Sequence, residues 1–184
     1  MDSIDNKIHM NQVHGNNVVV VDSKNIGQVI PECDGLVTND PNVILVVKTA
    51  DCLPISITDS NQKVIALVHA GWRGLQKEII KNSVNILRGE FNCDPKDLKI
   101  KIGPHICQIH YEVGKEVSDL FPNSTKYLSL KDVAINQLIT LGVTEENIEV
   151  DPRCTFEDLS LPSYRRGDRN KRIETTSHLA GVMS

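Results

Sequence analysis

Short apolar runs alternate with polar loops along the chain, and the strongest run ends in an unusual turn. Residues 64–68, Val-Ile-Ala-Leu-Val, predict a strand that is buried on both faces. This strand leads into His69-Ala70-Gly71-Trp72-Arg73-Gly74, a turn with two glycines. Apolar side chains three or four positions apart then predict a helix over residues 75–88. We expect the turn to hold polar groups at a rigid edge that faces a cleft.

The same patterning predicts strands and helices in the rest of the chain. The first definite feature is Gln12-Val13-His14-Gly15. Further strands are predicted at residues 18–21, 43–47, 55–58, 98–102 and 148–150. Residues 55–68 predict a hairpin that brings Cys52 and His69 to the same end. A short helix before Pro122 and a longer one from Ser129 to Gly142 are also predicted. We expect a fold of the α+β class.

Length and composition limit the classes of protein that the chain can represent. The 184 residues suit one domain, 1–184, with a full core. A net charge of −4 gives no reason to expect a nucleic-acid partner, and no apolar stretch reaches the roughly 20 residues that span a membrane. The first five residues lack a signal-peptide pattern, so we expect a cytoplasmic protein. The pattern does not indicate an oligomeric state.

The cysteines and histidines suggest a metal site rather than disulfide bonds. The five cysteines are scattered, without a Cys-x-x-Cys pair. Loops beside apolar strands hold His14, Cys52 and His69. One thiolate and two imidazoles suit Zn²⁺ and leave a fourth position for water or substrate, as in a catalytic site. A buried cysteine with two solvent-facing histidines is the alternative, and Cys154 as a fourth ligand would make the zinc structural.

Several motifs, in order over residues 12–166, resemble those of the YfiH/laccase-domain family. The His-Ala-Gly-Trp-Arg-Gly block is the most specific of them. The motifs are Gln12-Val13-His14, Ala50-Asp51-Cys52-Leu53-Pro54, His69-Ala70-Gly71-Trp72-Arg73-Gly74, Gly103-Pro104 with Tyr111-Glu112-Val113, and Ser163-Tyr164-Arg165-Arg166.

The resemblance implies a fold, a metal and an activity. The fold would be an α/β/β/α arrangement with mixed sheets, and His14, Cys52 and His69 fall on the family's zinc ligands. Members are described as polyphenol oxidases and as zinc-dependent purine nucleoside phosphorylases with adenosine deaminase activity. We therefore expect an enzyme that cleaves adenosine, inosine or guanosine with phosphate to the free base and ribose 1-phosphate, with adenosine deamination as an added activity.

The chain also departs from the family pattern in two places. Members usually carry an N-terminal segment before the Gln-Val-His block, whereas 11 residues precede it here. We expect that segment to be lacking. The usual Ser-Tyr-Arg-Arg-Asp-Gly run ends here in Gly167-Asp168, and Glu174-Thr175-Thr176-Ser177-His178 replaces an apolar C-terminal strand. We expect the metal site to be retained despite these changes. Any effect of the changes should fall on the outer wall of the pocket and on substrate affinity.

Other residues near the proposed ligands suit the expected reaction. Arg73 is the best placed phosphate-binding residue, because a guanidinium pairs two phosphate oxygens. Arg165 and Arg166 come next, with a solvated basic tail as their alternative reading. Asp51 could orient a ligand or shuttle a proton, or could be a turn residue. Trp72 could stack on a purine, or could fill space under the turn.

Three other functions are compatible with these residues. In a metal-free cysteine hydrolase or amidase, Cys52 would be the nucleophile and His69 its base. A copper-dependent polyphenol oxidase, or laccase, needs several coppers with mostly histidine ligands, and the chain has six histidines. A catalytically silent binding domain is the third. The roles of Cys154, His105 and His110 stay open.

Overall fold

A computed structural model describes residues 6–122 and 126–179 and shows ten strands and four α-helices within them. The strands are β1 (Lys7–Met10), β2 (Val18–Val20), β3 (Val29–Ile30), β4 (Gly35–Thr38), β5 (Ile44–Thr49), β6 (Leu53–Asp59), β7 (Val64–Ala70), β8 (Lys99–Ile102), β9 (Ile148–Val150) and β10 (Ile173–Ser177). The helices are α1 (Trp72–Gln76), α2 (Ile79–Phe91), α3 (Lys115–Ser118) and α4 (Leu130–Thr140). Among the described residues, no helix has the length and apolarity to cross a membrane.

The strands form two sheets, each with both parallel and antiparallel pairs. The larger sheet has the order β2-β4-β7-β6-β8-β9, and the smaller one has the order β10-β5-β1-β3. Antiparallel β6 and β7 form the central hairpin of the larger sheet, in which Pro54 pairs with His69. The predicted hairpin is thereby confirmed, and the loop that holds Cys52 lies at the same end as His69.

Two hydrophobic cores give the protein its layers. One core packs buried side chains of all four helices against the six-stranded sheet, and the other lies between the two sheets. The predicted α+β class with mixed sheets is confirmed. Within residues 6–122 and 126–179, the helices pack on the large sheet, and the large sheet packs on the small sheet. Charged residues lie on the outer face of the small sheet, where Glu174 is 3.5 Å from Lys7 and 3.8 Å from Lys48.

The C-terminal segment corrects one expectation. The polar stretch that begins at Glu174 was expected to replace a strand, but Ile173–Ser177 forms β10 and pairs antiparallel with β5. Thr175 and Ser177 point inward and are buried, and the Ser177 hydroxyl lies 2.9 Å from that of Ser56 in the other sheet. Backbone pairing with β5 and the contact between the Ser177 and Ser56 hydroxyls make this strand possible without an apolar pattern.

The predicted helix over residues 75–88 is also corrected, because it is two helices. The break falls at Glu78, whose φ of 64° is left-handed and ends the regular hydrogen bonding. Side chains from distant segments bond to carbonyls at the break. Asn16 donates to the carbonyl of Lys77 (2.7 Å), and Gln137 donates to that of Leu75 (3.0 Å), which also accepts from the backbone N–H of Glu78. No glycine or proline marks the break, so the local pattern could not reveal it. The predicted Ser129 cap of α4 is present.

Candidate metal and active site

His14, Cys52 and His69 converge at one end of the two sheets. His14 lies in the loop between β1 and β2, Cys52 in the turn between β5 and β6, and His69 near the end of β7. Their nearest ligand atoms all lie within 4.8 Å of one another. The two imidazole rings pack edge to face, with centroids 4.7 Å apart. Residues remote in the sequence therefore form one compact group of metal-ligand type.

A buried carboxylate, Asp34, positions two of these three side chains. Its Oδ1 lies 2.7 Å from Nδ1 of His69. The same carboxylate accepts hydrogen bonds from the backbone N–H groups of Val13, His14 and Gly15, at 3.1, 3.0 and 2.7 Å. These bonds stabilise the left-handed backbone of His14, whose φ is 56°. Carboxylate partners of this kind commonly orient metal-binding histidines.

Gly71 is required by the close packing of the group. A Cβ at this position would lie 2.8 Å from Sγ of Cys52 and 3.4 Å from Cδ2 of His14. Any larger residue would push the thiol away from the imidazoles. The glycine of the His-Ala-Gly-Trp-Arg-Gly turn therefore has a steric role in the site.

The charges around the group favour a thiolate. Burial raises the pKa of Cys52, but hydrogen bonds from His14 and His69 outweigh it and lower that pKa to about 7. Burial lowers the pKa of His69, while Asp34 and Cys52 raise it to about 9. The pKa of Asp34 is lowered, because its hydrogen bonds to His69 and to backbone N–H groups exceed the effect of burial.

The donor set fits a metal ion. Thiolate sulfur and imidazole nitrogen are ligands for borderline-soft cations, and three protein ligands leave a position open. Asp34 also meets the usual requirement for a partner on the second ring nitrogen of a ligating histidine. His14, Cys52 and His69 could hold a metal in this arrangement, and its chemistry suits zinc better than a hard cation such as magnesium.

The group lies in a cavity of about 590 Å³ with a cationic wall. Four basic side chains line it: Lys48, Arg73, Arg165 and Arg172. Asp51 is the single carboxylate among the described lining residues. The protein has a net charge of −4, so this concentration of positive charge is local. Such a cavity suits an anionic substrate.

Asp51 braces the cavity wall. Its side chain is buried, and its φ is 85°. One carboxylate oxygen accepts a 2.6 Å hydrogen bond from the Thr155 hydroxyl, and the other accepts a 2.7 Å bond from the backbone N–H of Arg165. It is Asp34, rather than Asp51, that contacts His69. Asp51 instead joins the loop that holds Cys52 to the segment that holds Arg165.

Two arginines of the wall lie against aromatic rings. The Arg73 guanidinium is 4.3 Å from the centroid of Trp72, and that of Arg165 is 5.1 Å from the centroid of Tyr111. Trp72 is half-buried, lines the cavity and also packs against the core below the turn. Arg165 additionally donates to the carbonyl of Glu112 at 2.8 Å. Both predicted residues Arg73 and Trp72 therefore reach the same cavity as the three proposed ligands.

Arg166 does not line the cavity. Its guanidinium donates to the carbonyls of Thr155 (2.7 Å), Phe156 (2.9 Å) and Leu161, and to the carboxylate of Asp168 (2.6 Å). These bonds hold the loop that precedes it. The structure thus brings Arg165 to the cavity and gives Arg166 a different set of partners.

The remaining cysteines and histidines of interest lie elsewhere. Cys154 is grouped with Cys107 and His110, not with the group around Cys52. His105 is buried, with Nδ1 2.9 Å from the carbonyl oxygen of Gly103. Burial lowers the pKa of His105. Cys154 therefore does not close the first group as a fourth ligand.

Sequence reasoning missed several residues of the site. Asp34 is the most important of them, because it positions both histidines from 20 and 35 positions away in the sequence. Thr49 lines the cavity, and its buried hydroxyl has no hydrogen-bond partner among the described residues. Tyr111 also lines it. A Tyr111-Glu112-Val113 motif was visible, but its pattern did not show that the ring faces a cavity.

Fold and site together describe a mixed α/β protein with a Cys/His group that could bind a metal. A family model described as multi-copper polyphenol oxidoreductase laccase matches residues 2–183. The chain belongs to this family, as the resemblance predicted. Solved structures with the same fold include YlmD from Geobacillus stearothermophilus, with a TM-score of 0.88 and 29% identity over 94% of this chain and 73% of that one. Another is YfiH from Bacillus licheniformis, with a TM-score of 0.87 and 27% identity over 94% and 74% of the two chains.

Curated relatives carry the name purine nucleoside phosphorylase. The Mycobacterium bovis protein BQ2027_MB2173C is 35% identical over 86% of this chain and 66% of its own length. The Corynebacterium glutamicum protein Cgl2154/cg2365 is 33% identical over 98% of this chain and 75% of its own length. The chain thus spans about two thirds to three quarters of the length of these relatives.

Proposed function

We propose that this protein is a zinc-dependent purine nucleoside phosphorylase. The reaction would cleave adenosine, inosine or guanosine with inorganic phosphate to give the free base and ribose 1-phosphate. One observation carries the proposal: His14, Cys52 and His69 converge in a cavity whose charged wall is almost entirely basic. The name shared by the curated relatives agrees with it.

Arg73 is proposed as the principal phosphate-binding residue. It is exposed in the cavity, and its guanidinium makes no hydrogen bond to another described residue, so its donors are available for an anion. Contact with Trp72 restricts its position. Arg165 supports this role from the opposite segment, where Asp51 holds its backbone and Tyr111 its side chain. Paired N–H groups bind phosphate more specifically than an isolated ammonium.

The nucleoside would bind between the aromatic side chains and the proposed metal. Trp72 and Tyr111 offer apolar ring surface for a purine, although Arg73 and Arg165 each contact one of these rings. The Thr49 hydroxyl is proposed to hydrogen-bond the nucleoside, because a buried polar group without a partner is costly. A ligand that supplied this partner would be favoured over one that could not.

His14, Cys52 and His69 would hold the zinc ion, and Asp34 would keep His69 oriented. When bound, zinc supplies Lewis-acid stabilisation of negative charge. Asp51 is proposed as a positioning residue, because its carboxylate fixes both the Cys52 loop and the backbone of Arg165. Asp51 could also transfer a proton during the reaction. For this second role, its carboxylate would have to release either the Thr155 hydroxyl or the backbone N–H of Arg165.

The direct test is incubation of the purified protein with inosine, with and without phosphate. Phosphorolysis predicts hypoxanthine and ribose 1-phosphate in equal amounts, only when phosphate is present. Cys52→Ala and Arg73→Ala should lose the activity. Hypoxanthine release without phosphate would indicate hydrolysis, and bound zinc without any product would indicate a silent binding domain. Oxidation of a phenol with added copper, in place of phosphorolysis, would favour a polyphenol oxidase.

Adenosine deamination is proposed as a second reaction in the same cavity. The expected product in phosphate-free buffer is inosine with one ammonia, measured by chromatography and an ammonia assay. Loss of both reactions in Cys52→Ala would place them at one site. Ammonia release that persists in this variant would contradict a shared site.

A metal-free cysteine hydrolase is the second candidate, and one observation favours it. His69 lies between Cys52 and the carboxylate of Asp34, which is the order of a nucleophile, base and orienting acid. The two mechanisms differ in their inhibitors. A hydrolase would remain active in a chelator and lose activity to a thiol alkylator, whereas the zinc enzyme should lose activity to the chelator and regain it with zinc.

A further inference from the structure

A second group of ligand atoms lies outside the cavity just described. Sγ of Cys107 is 3.1 Å from Nδ1 of His110, and Sγ of Cys154 is 3.7 Å from the same nitrogen. Oε1 of Glu157 is 3.6 Å from it. The four ligand atoms all lie within 4.8 Å of one another. Two thiols, an imidazole and a carboxylate therefore surround one point.

These separations match a tetrahedral metal site. Zinc binds sulfur at about 2.3 Å and nitrogen or oxygen at about 2.0–2.2 Å, so the edges of its tetrahedron are roughly 3.4–3.8 Å. The distances to the His110 nitrogen lie close to this range. The ligands also form two short motifs, Cys-x-x-His at residues 107–110 and Cys-x-x-Glu at residues 154–157. Two intervening residues also separate paired ligands in structural zinc sites, where both ligands of the pair are usually cysteines.

The surrounding backbone holds the four side chains in place. His105 and Cys154 pair in a parallel β-bridge, which aligns the two motifs. The backbone N–H of Cys107 donates to Sγ of Cys154 at 3.2 Å, a contact that stabilises a thiolate. The His110 ring stacks on Phe156 with centroids 4.4 Å apart. Three ligands are wholly or partly buried and Glu157 is exposed, so a cation has a route of entry.

We propose that Cys107, His110, Cys154 and Glu157 form a second, structural site for a divalent cation of the zinc type. The four protein ligands fill a tetrahedron, so this site would be closed, unlike the group around Cys52. It would join the loop before Tyr111 to the loop after β9. Both loops support the cavity wall: Arg165 contacts Tyr111, and Thr155 bonds Asp51. The assignment does not depend on the proposed phosphorolysis.

The test is a zinc titration of chelator-stripped, fully reduced protein against a chromophoric competitor. The unmodified protein should bind two zinc ions per chain. Cys52→Ala should bind one, Cys107→Ser should bind one, and the combined variant none. Cys93→Ser, which changes a buried cysteine outside both groups, should still bind two. One zinc in the unmodified protein with none in Cys52→Ala would overturn the proposal, as would undiminished binding by Cys107→Ser.

Two further measurements separate loss of a metal ligand from loss of folding, and a metal site from a disulfide bond. Glu157→Gln changes an exposed side chain and should weaken zinc binding at this site at least tenfold in the Cys52→Ala background, without loss of the fold. Unchanged affinity in that variant would remove Glu157 from the ligand set and contradict the closed site. Thiol counting in denaturant with a chelator, on a separate preparation never exposed to reductant, should find all five cysteines free. Three thiols would instead show a Cys107–Cys154 disulfide and overturn the metal assignment.

Discussion

Oδ1 of Asp34 lies 2.7 Å from Nδ1 of His69, although the two residues are 35 positions apart in the sequence. The same carboxylate binds three consecutive backbone N–H groups around His14. One fully buried acid thereby sets the positions of two proposed metal ligands. The geometry of the site depends on this side chain as much as on the ligands themselves.

Asp34→Asn should weaken zinc binding at the Cys52 group by about 10–100-fold, because an amide cannot hold His69 and the His14 turn equally well. Competition titration of the Cys107→Ser protein, which isolates this group, measures the change. Asp59→Asn is the control, since Asp59 is also buried but caps the turn at the far end of β6. Equal affinities in the two variants would show that Asp34 has no orienting role.

Gly71→Ala should displace the Cys52 thiol, because the added Cβ would lie 2.8 Å from Sγ. Zinc affinity and phosphorolysis should both fall, while the circular dichroism spectrum stays native. The matched control is Gly89→Ala in α2, where nothing lies within 4 Å of the new Cβ. This control should gain about 0.5–1 kcal/mol of stability, because alanine is the better helix former. Normal zinc affinity in Gly71→Ala would refute the steric argument.

Arg73→Lys should raise the KM for phosphate by about tenfold or more, because lysine cannot offer the paired N–H groups of a guanidinium. Initial rates at saturating inosine and varied phosphate give this value. Arg166→Lys should leave the phosphate KM unchanged but lower the free energy of unfolding by about 1–3 kcal/mol, through its lost bonds to loop carbonyls. The reverse pattern would exchange the roles of the two arginines.

The hydroxyls of Ser56 and Ser177 should be coupled, because they are buried partners that join the two sheets. Either serine changed to alanine leaves one hydroxyl unpaired, at a cost of about 1–3 kcal/mol. The double variant should lose less stability than the sum of the single variants. A double-mutant cycle by urea unfolding measures this difference, and strict additivity would show that the contact contributes nothing.

Much of the fold was predictable from local patterns. The apolar runs that became β5, β6 and β7 have strong signals because these strands are central and buried. Strands β1 and β10 were missed, since their partly exposed outer faces hold residues such as Lys7 and Glu174, and pairing with β5 stabilises them. The break before α2 depends on tertiary bonds from Asn16 and Gln137. Local patterns do not contain such long-range contacts.

Some residues of the candidate site could be predicted from the sequence, and others could not. His14, Cys52 and His69 could be proposed because their residue types and adjacent strands suit a metal, and the family resemblance supported them. Asp34 gave no comparable signal, because an aspartate followed by glycine is typical of an ordinary turn. Likewise, no spacing rule joins Cys107 to Cys154. Their proximity follows from the parallel bridge between His105 and Cys154.

Metal analysis of protein purified without added metal tests the central claim most directly. The Cys107→Ser background removes the second group from the measurement, and the same preparation is assayed for phosphate-dependent inosine cleavage. We expect about one zinc per chain, as for a single site with three protein ligands. We expect both the metal and the activity to disappear in Cys52→Ala. Full phosphorolysis by metal-free protein, or equal zinc content with and without Cys52, would contradict the account.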